Sequence, residues 1–367
     1  MRLLIWASSY GQTIGGVPVL APLLAAALVQ RGHAVTALTD RRPENLEARE
    51  TRDGVQIHRP LFRRALAGDV TLVHEIRRDV AAIKAEAQAE LVFIFSSGYG
   101  DFFHHVTERR HPAPLVVALH DCFPEASFRA DAMVGRNLRA AAWVTACSAA
   151  ALETARRHLP ALAPISSVIH GALPMPVDPP AAPGGGRQRL AYLGRLVPQK
   201  GVDVLIAAVA LLGGRFPSLR LAIAGEGDER AALEAQVVRL GLASRVEFVG
   251  ALAHDAVHRF LAAADIVVMP SRAEPFGLVA LEAAQMARPV VASAVQGLPE
   301  IVGDGETGLL VPPDDAPALA DAIAMLLEDP ARARALGAAA RRRAEIKFAW
   351  GPYVDAHERL FEAILRR

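Results

Sequence analysis

The sequence predicts an α/β protein made of two doubly wound domains, and three observations carry that reading. Short, nearly continuous apolar runs alternate with helical segments along the chain, which is the pattern of parallel strands covered on both faces. The 367 residues exceed one ordinary domain. A proline- and glycine-rich stretch interrupts the alternation once, and the alternation then restarts.

Leu3–Ala7 is the first apolar strand. Pro18–Arg31 reads as a helix, stopped by Gly32 just past its cap, where a left-handed backbone is needed. Ala34–Leu38, Val55–His58, Leu91–Phe95, Leu115–Leu119, Trp143–Cys147 and Ser167–Ile169 follow as strands, and Val70–Ala89 is the clearest helix among them. Ala172–Gly186 then supports neither helix nor central strand, because its prolines remove donors and its glycines free the backbone. Beyond it, Leu190–Leu193, Arg220–Ala224, Val246–Val249, Ile266–Met269, Pro289–Ala292 and Leu309–Val311 read as strands. Ala316–Leu327, Ala331–Glu345 and Tyr353–Leu365 are the closing helices. The expected domains are 1–172 and 188–347, joined by a linker at 173–187. Doubly wound sheets take ligands at the carboxyl ends of their strands, so the two domains are expected to face a central crevice.

Composition narrows the function classes. Lys and Arg number 40 against 39 Asp and Glu, a net charge of +1, which excludes a dedicated, strongly basic nucleic-acid binder. A hydrophobic content of 52% excludes disorder by composition. Cys122 and Cys147 are too few for a disulfide framework or a closed zinc site, and free thiols suit a reducing compartment. Val17–Val29 is apolar but too short to span a bilayer, and Ser8–Gln12 sets polar residues where a signal peptide needs its apolar centre. A cytoplasmic protein without a transmembrane helix is expected.

The strongest motif is Glu274-Pro-Phe-Gly-Leu-Val-Ala-Leu-Glu282, which follows the strand Ile266–Met269 and opens a helix running through Ala287. Gly277 lets a ligand approach the main chain, and first-turn amides favour an anion. Flanking carboxylates can accept from neutral hydroxyls, such as those of sugars and riboses. Alone, the pattern equally describes an ordinary strand–loop–helix joint with two solvated glutamates. The second motif is Gly194-Arg-Leu-Val-Pro-Gln-Lys-Gly201, in which Arg195 and Lys200 lie five apart in one glycine-bounded loop. Arg as a fork and Lys as a point charge can clamp a diphosphate, although a basic surface turn has the same composition. The Gly-x-x-x-x-Gly-Lys-Ser/Thr order of a mononucleotide phosphate loop is missing. Gly15-Gly16 is a weaker glycine loop, and Gly225-Glu226-Gly227 lacks the third glycine of a dinucleotide fingerprint. His120 closes the strand Leu115–Leu119, where it faces a crevice if the sheet is parallel; a lone histidine is more often structural.

Together these residues resemble the retaining GT-B glycosyltransferases, the glycosyl transferases group 1 family related to glycogen synthase. Arg31-Gly-His-Ala-Val35, Gly297-Leu-Pro-Glu300 and Gly305-Glu-Thr-Gly-Leu-Leu-Val311 match the same family's habits. The resemblance spans nearly the whole chain and is loosest from Arg41 to Arg110. Phe348-Ala-Trp350 and the final helix resemble the family's crossover, which implies that residues 348–367 pack back on the first domain.

The resemblance implies a metal-independent enzyme that moves a sugar from a nucleotide-diphosphate sugar to an acceptor with retention. Arg195 and Lys200 would neutralise the departing diphosphate, and the amides of Phe276, Gly277 and Leu278 would hold the same phosphates. Glu282 would accept from the ribose, and Glu274 from the transferred sugar. Gly15 and Gly16 would let the first domain close on the donor, and His120 would line the reaction centre. No cofactor is implied beyond the donor as co-substrate. No Asp-x-Asp occurs in the chain, so the motif that usually holds a metal in the other large glycosyltransferase architecture is missing. The acceptor stays open among a sugar, a lipid-linked group and a small molecule. A sugar-nucleotide epimerase of the same fold and a noncatalytic nucleotide-sugar binder are the competing readings. Arg59, Arg63, Arg64, Arg77 and Arg78 offer a basic patch for an anionic inner membrane face, while Glu75 and Asp79 among them suit a solvated helix instead.

Overall fold

The apolar runs form the strands of two parallel-rich sheets, each in its own unit. The computed structural model describes residues 1–11, 16–176 and 188–367. Unit 1 comprises Met1–His170 with Gly351–Arg367, and unit 2 comprises Gly171–Trp350.

In chain order, unit 1 runs β1 (Arg2–Ala7), α1 (Gly16–Gln30), β2 (Ala34–Thr39), β3 (Arg49–Arg52), β4 (Val55–His58), α2 (Phe62–Leu66), α3 (Val70–Ala87), β5 (Leu91–Ile94), α4 (Asp101–Thr107), β6 (Leu115–Leu119), α5 (Met133–Ala140), β7 (Trp143–Ala146), α6 (Ala149–His158) and β8 (Ser166–Val168). The strands lie in the order β3-β4-β2-β1-β5-β6-β7-β8. Every pairing is parallel except β3 with β4. That edge hairpin corrects the expectation of a purely parallel sheet. Its strand Arg-Glu-Thr-Arg carries no apolar run because it lies at an exposed sheet edge. Its turn, Asp53-Gly54, has positive φ at both residues (53° and 76°), as a two-residue hairpin loop requires.

Gly32 ends α1 with φ 86°. Its amide donates to Val29 O at 2.9 Å, and the amide of His33 reaches back to Leu28 O at 3.1 Å. These two bonds close the helix with a left-handed residue that only glycine adopts cheaply. Gly16 is the first residue of α1 and not a free loop position, because the helix begins two residues earlier than the apolar pattern suggests. Gly15 lies outside the described residues, as does 177–187 of the expected linker.

Unit 2 runs β9 (Arg189–Leu193), α7 (Val202–Leu212), β10 (Arg220–Ala224), α8 (Arg230–Arg239), β11 (Val246–Gly250), α9 (His254–Ala262), β12 (Ile266–Met269), α10 (Leu278–Gln285), β13 (Val290–Ser293), α11 (Leu298–Ile301), β14 (Gly308–Val311), α12 (Ala316–Glu328) and α13 (Pro330–Lys347). Its order is β11-β10-β9-β12-β13-β14, parallel throughout. From β9 the chain winds outward through β10 and β11, and from β12 it winds the other way. β9 and β12 are adjacent, so the topological switch point lies between them. Helix α10 stops at Gln285, short of the expected Ala287, which takes φ 53°. The core joins Leu205, Ile206 and Val209 of α7 to Leu319 and Ile323 of α12 over the sheet residues Ile223 and Val268.

The last helix, α14 (Trp350–Leu365), completes unit 1. Phe361 is 0% exposed and packs edge-on to Phe93 of β5 at 5.1 Å, with His357 5.7 Å from the same ring. At the surface Arg31 pairs with Asp355 and Glu358, both at 2.6 Å, and His33 Nε2 meets Glu358 at 2.7 Å. The Arg-Gly-His turn thus ends α1 and also latches α14.

The five arginines of the expected basic patch do not form one open surface. Arg59 is 3% exposed and donates to Glu50 at 2.7 Å, Arg64 lies beside Glu44 and Asp69, and Arg63 stacks over the Tyr99 ring at 5.1 Å. Local acids offset the charges of Arg59 and Arg64, while Arg77 and Arg78 stay exposed on α3. Among the described residues no helix is long and apolar enough to cross a membrane.

Replacing Phe361 by Ala leaves a cavity against Phe93, so it is expected to cost about 3–5 kcal/mol. Denaturant unfolding followed in unit 1 checks this, and an unchanged midpoint would mean that α14 adds nothing to that core.

Candidate active site

The candidate residues of unit 2 cluster at the carboxyl ends of the strands that flank its switch point. Leaving β9, the loop Gly194–Gly201 carries Arg195 and Lys200 and turns into α7. Gly201 caps that helix at φ 63°, and a Cβ there would stand 2.0 Å from the carbonyl oxygen of Pro270, in the loop after β12. Only glycine allows the two loops so close. Arg272 then joins them. Its guanidinium donates to both carboxylate oxygens of Asp203 (2.9 and 2.7 Å), to Asp314 (2.6 Å) and to Pro198 O (2.6 Å), while its amide reaches Gln199 O at 2.8 Å. The two acids hold its pKa above the ordinary arginine value. No sequence motif marked Arg272, since its acidic partners lie 69 and 42 residues away.

Across this junction Lys200 Nζ donates to Glu274 Oε2 at 2.5 Å. The main chain of Glu274 is bracketed from the loop after β13: its amide donates to Gln296 Oε1 at 2.8 Å, and its carbonyl accepts from the Gly297 amide at 3.1 Å. Gly297 has no room for a side chain, because a Cβ would stand 2.3 Å from Pro275 O. Gly277 opens α10 at φ 108°, where a Cβ would collide with Leu298 at 2.7 Å. Phe276 is buried against the Phe348 ring at 5.8 Å, which pins the turn and leaves the amides of Gly277 and Leu278 at the helix start. Arg195 is exposed, and no ion pair among the described residues engages it. Its carbonyl accepts from the Tyr192 hydroxyl at 2.9 Å. Tyr192 feels the charges of both Glu274 and Arg195, which places the three close together, and burial holds its phenol protonated.

Glu282 lies one turn into α10. It and Glu274 are each 8% exposed, so neither is the solvated glutamate of an ordinary strand–loop–helix joint. Burial pushes Glu282 up to about 8, so its carboxyl is held mostly neutral at physiological pH. Hydroxyl donors would favour the charged form and relieve that penalty.

Gly225 and Gly227 receive a structural explanation. A Cβ at either would stand about 2 Å from a carbonyl oxygen of the β9 loop, at Gly194 and Leu196 respectively. Amide bonds Leu196 to Glu226 (2.9 Å) and Glu229 to Leu196 (3.0 Å) zip the two loops together. These glycines let the loops after β9 and β10 pack against each other.

His120 belongs to unit 1, one residue past β6. Its ring stacks on Phe95 at 4.4 Å, and its Nε2 is sealed from solvent without a hydrogen-bond partner among the described residues. Burial, with His357 adding to it, pulls its pKa down to about 3, so it is neutral. At the switch point of the unit 1 sheet, Ser8 meets Ser96 at 2.9 Å, and beneath it Asn137 donates to buried Asp101 at 2.6 Å. His104, His105 and Glu108 could together face a cation, but Lys84 Nζ already contacts His104 Nδ1 at 3.3 Å, and an ammonium there opposes an ion.

Two such sheets, the second with a cation loop and a Glu-Pro-Phe-Gly turn meeting at its switch point, define a doubly wound two-domain class of α/β protein, and the comparisons identify the class. Residues 180–343 match the family described as Glycosyl transferases group 1, and residues 14–172 match Glycosyltransferase Family 4. By these two models together the chain belongs to the glycosyltransferases of the GT-B fold, its second unit matching group 1 and its first Family 4. Among curated relatives, glycogen synthase of Mycobacterium tuberculosis is 40% identical over 184 residues, covering 50% of this chain and 44% of that protein. The alpha-D-kanosaminyltransferase of Streptomyces kanamyceticus is 40% identical over 144 residues, 39% of this chain and 37% of that one. The chain thus spans less than half the length of these curated relatives. Among solved structures, sucrose-phosphate synthase from Thermosynechococcus elongatus superposes with a TM-score of 0.86 at 26% identity over 100% of both chains. The Anabaena protein HepE, solved with UDP-glucose, gives 0.79 at 22% identity over 98% of this chain and 99% of its own, a likeness of fold.

The buried carboxyl of Glu282 sets a stability prediction. Its folded pKa lies above its unfolded value, so the native state binds more protons and loses stability as pH rises from about 4.5 to about 8. Glu282→Gln removes that loss. Its melting temperature is expected to exceed wild type by a margin that widens from pH 5 to pH 8. A margin flat across that range in calorimetric scans would show that the carboxyl is not held neutral.

Proposed function

We propose that this protein is a retaining glycosyltransferase that moves a sugar from a nucleotide-diphosphate sugar to an acceptor without a metal ion. The observation that carries this reading is the ion pair of Lys200 with Glu274 across two glycine-locked loops, with Arg195 unpaired beside it. Without donor, Glu274 holds Lys200 in place, so little reorganisation is needed when an anion arrives. A donor diphosphate then takes Arg195, Lys200 and the amides at the start of α10, and Glu274 turns to hydroxyls of the sugar. Glu282 accepts from the ribose, and each such contact is a charge-assisted hydrogen bond.

In the transfer the bond from the anomeric carbon to the phosphate oxygen breaks, and a bond from the same carbon to the acceptor oxygen forms on the same face. The acceptor's proton passes to the departing phosphate. Arg195 and Lys200 stabilise the charge that builds on that leaving group, fixed in position where they are worth more than in water. His120, held neutral by burial, suits a hydrogen-bonding role and not a cationic one. The acceptor class is a sugar, a lipid-linked group or a small molecule, chosen by unit 1.

Arg195→Ala and Lys200→Ala are each expected to lower kcat by ~10²–10³ in a protein that stays folded. Release of nucleoside diphosphate from labelled nucleotide sugars measures it, and near wild-type turnover in both variants would remove the clamp. Activity is also expected to survive EDTA. Loss on chelation with recovery on adding a divalent ion would assign leaving-group stabilisation to a metal.

A further inference from the structure

We infer that unit 2 carries a second small-molecule site, at the end of its sheet opposite the clamp loops, and that it takes an anion with an apolar body. A cavity of about 540 Å³ opens at the starts of β9, β10 and β11, under the end of α9. That volume lies within the range of ordinary small-molecule sites. Its apolar part includes Ala191, Ala222 and the Phe260 ring. Ala222 sits mid-strand in β10 yet keeps some exposure, because α9 leaves this stretch of the sheet face incompletely covered. A small side chain there leaves room that a larger one would fill.

The charges at the cavity are unequal: Arg189, Arg220 and Arg245 line it against Glu247, and the Asp265 carboxylate lies at its edge, accepting from the Arg189 amide at 2.9 Å. Among the described residues none of the three guanidiniums makes an ion pair. Two are nevertheless held in place. Arg220 donates to Leu219 O at 3.0 Å, and Arg245 donates to Gly213 O and Phe216 O at 3.0 and 3.2 Å. A guanidinium has five N–H donors, so each anchored arginine keeps most of its fork for a ligand. Anchored but uncompensated arginines around an apolar floor are preorganised for a carboxylate, phosphate or sulfonate attached to a ring or chain. Nothing in the proposed transfer uses these residues, so the inference stands apart from that reading.

Anilinonaphthalene sulfonate is a suitable probe, with uncharged phenylnaphthylamine and inorganic phosphate as controls. One saturable fluorescent site is expected, which neither UDP nor GDP displaces. Arg189→Gln and Arg220→Gln should each weaken it about tenfold, and Ala222→Leu should abolish it. Phosphate alone should compete weakly, since it lacks the apolar body. Equal binding by the uncharged control, displacement by either nucleotide, or undiminished affinity in both arginine variants would overturn the site. If Ala222→Leu does not fold, the exposed Arg189 variant, checked by its melt, decides the matter.

Discussion

The guanidinium of Arg272 is the joint on which the candidate site depends. It reaches the first turn of α7 through Asp203, the clamp loop through Pro198 and the loop after β14 through Asp314. The carbonyl approach at Gly201 and the ion pair of Lys200 with Glu274 both require the loops after β9 and β12 to stay at one spacing, and Arg272 fixes it. A lysine could not, since one ammonium cannot span three acceptors in a plane. The switch point of the sheet brings the loops together, and this one side chain keeps them in register.

Around that joint the unit tolerates local costs. Glu282 is buried with its charge suppressed, Gly277 and Gly297 sit where any side chain would collide, and Arg195 stands without a counter-ion. Each is unfavourable or neutral on its own, and the hydroxyls and phosphates of the proposed donor would relieve the cost at Glu282 and Arg195. Sites built for binding often conflict with stability in this way. The second cavity shows the same imbalance on a smaller scale, with three arginines, two of them anchored, facing one acid of the lining.

Much of this was legible in the sequence. Apolar runs mark the strands because both faces of a parallel sheet are buried, and Gly32 marks the end of α1 because its backbone must be left-handed. The motif residues of unit 2 were visible as residue types at the ends of strands. What stayed hidden has a common cause. The strand β3 is polar because it is an exposed edge, and only its Asp-Gly turn signals it. Arg272 looks like any loop arginine until folding brings Asp203 beside it. The burial of the two glutamates depends on neighbours distant in sequence, and so does the loss of the Arg59 charge to Glu50. Local pattern reports propensity and burial by face, while pairing between loops is decided by topology.

The return of α14 to unit 1 bears on biosynthesis. Phe93 and its strand β5 are made early, but the side chain that covers them, Phe361, is translated only after all of Gly171–Trp350. Domains tend to fold in the order in which they emerge. Here the second unit has its entire sequence at hand before the first can seal its core. The nascent first sheet must therefore wait with an apolar face open to the cell, where chaperones have their best opportunity to engage it.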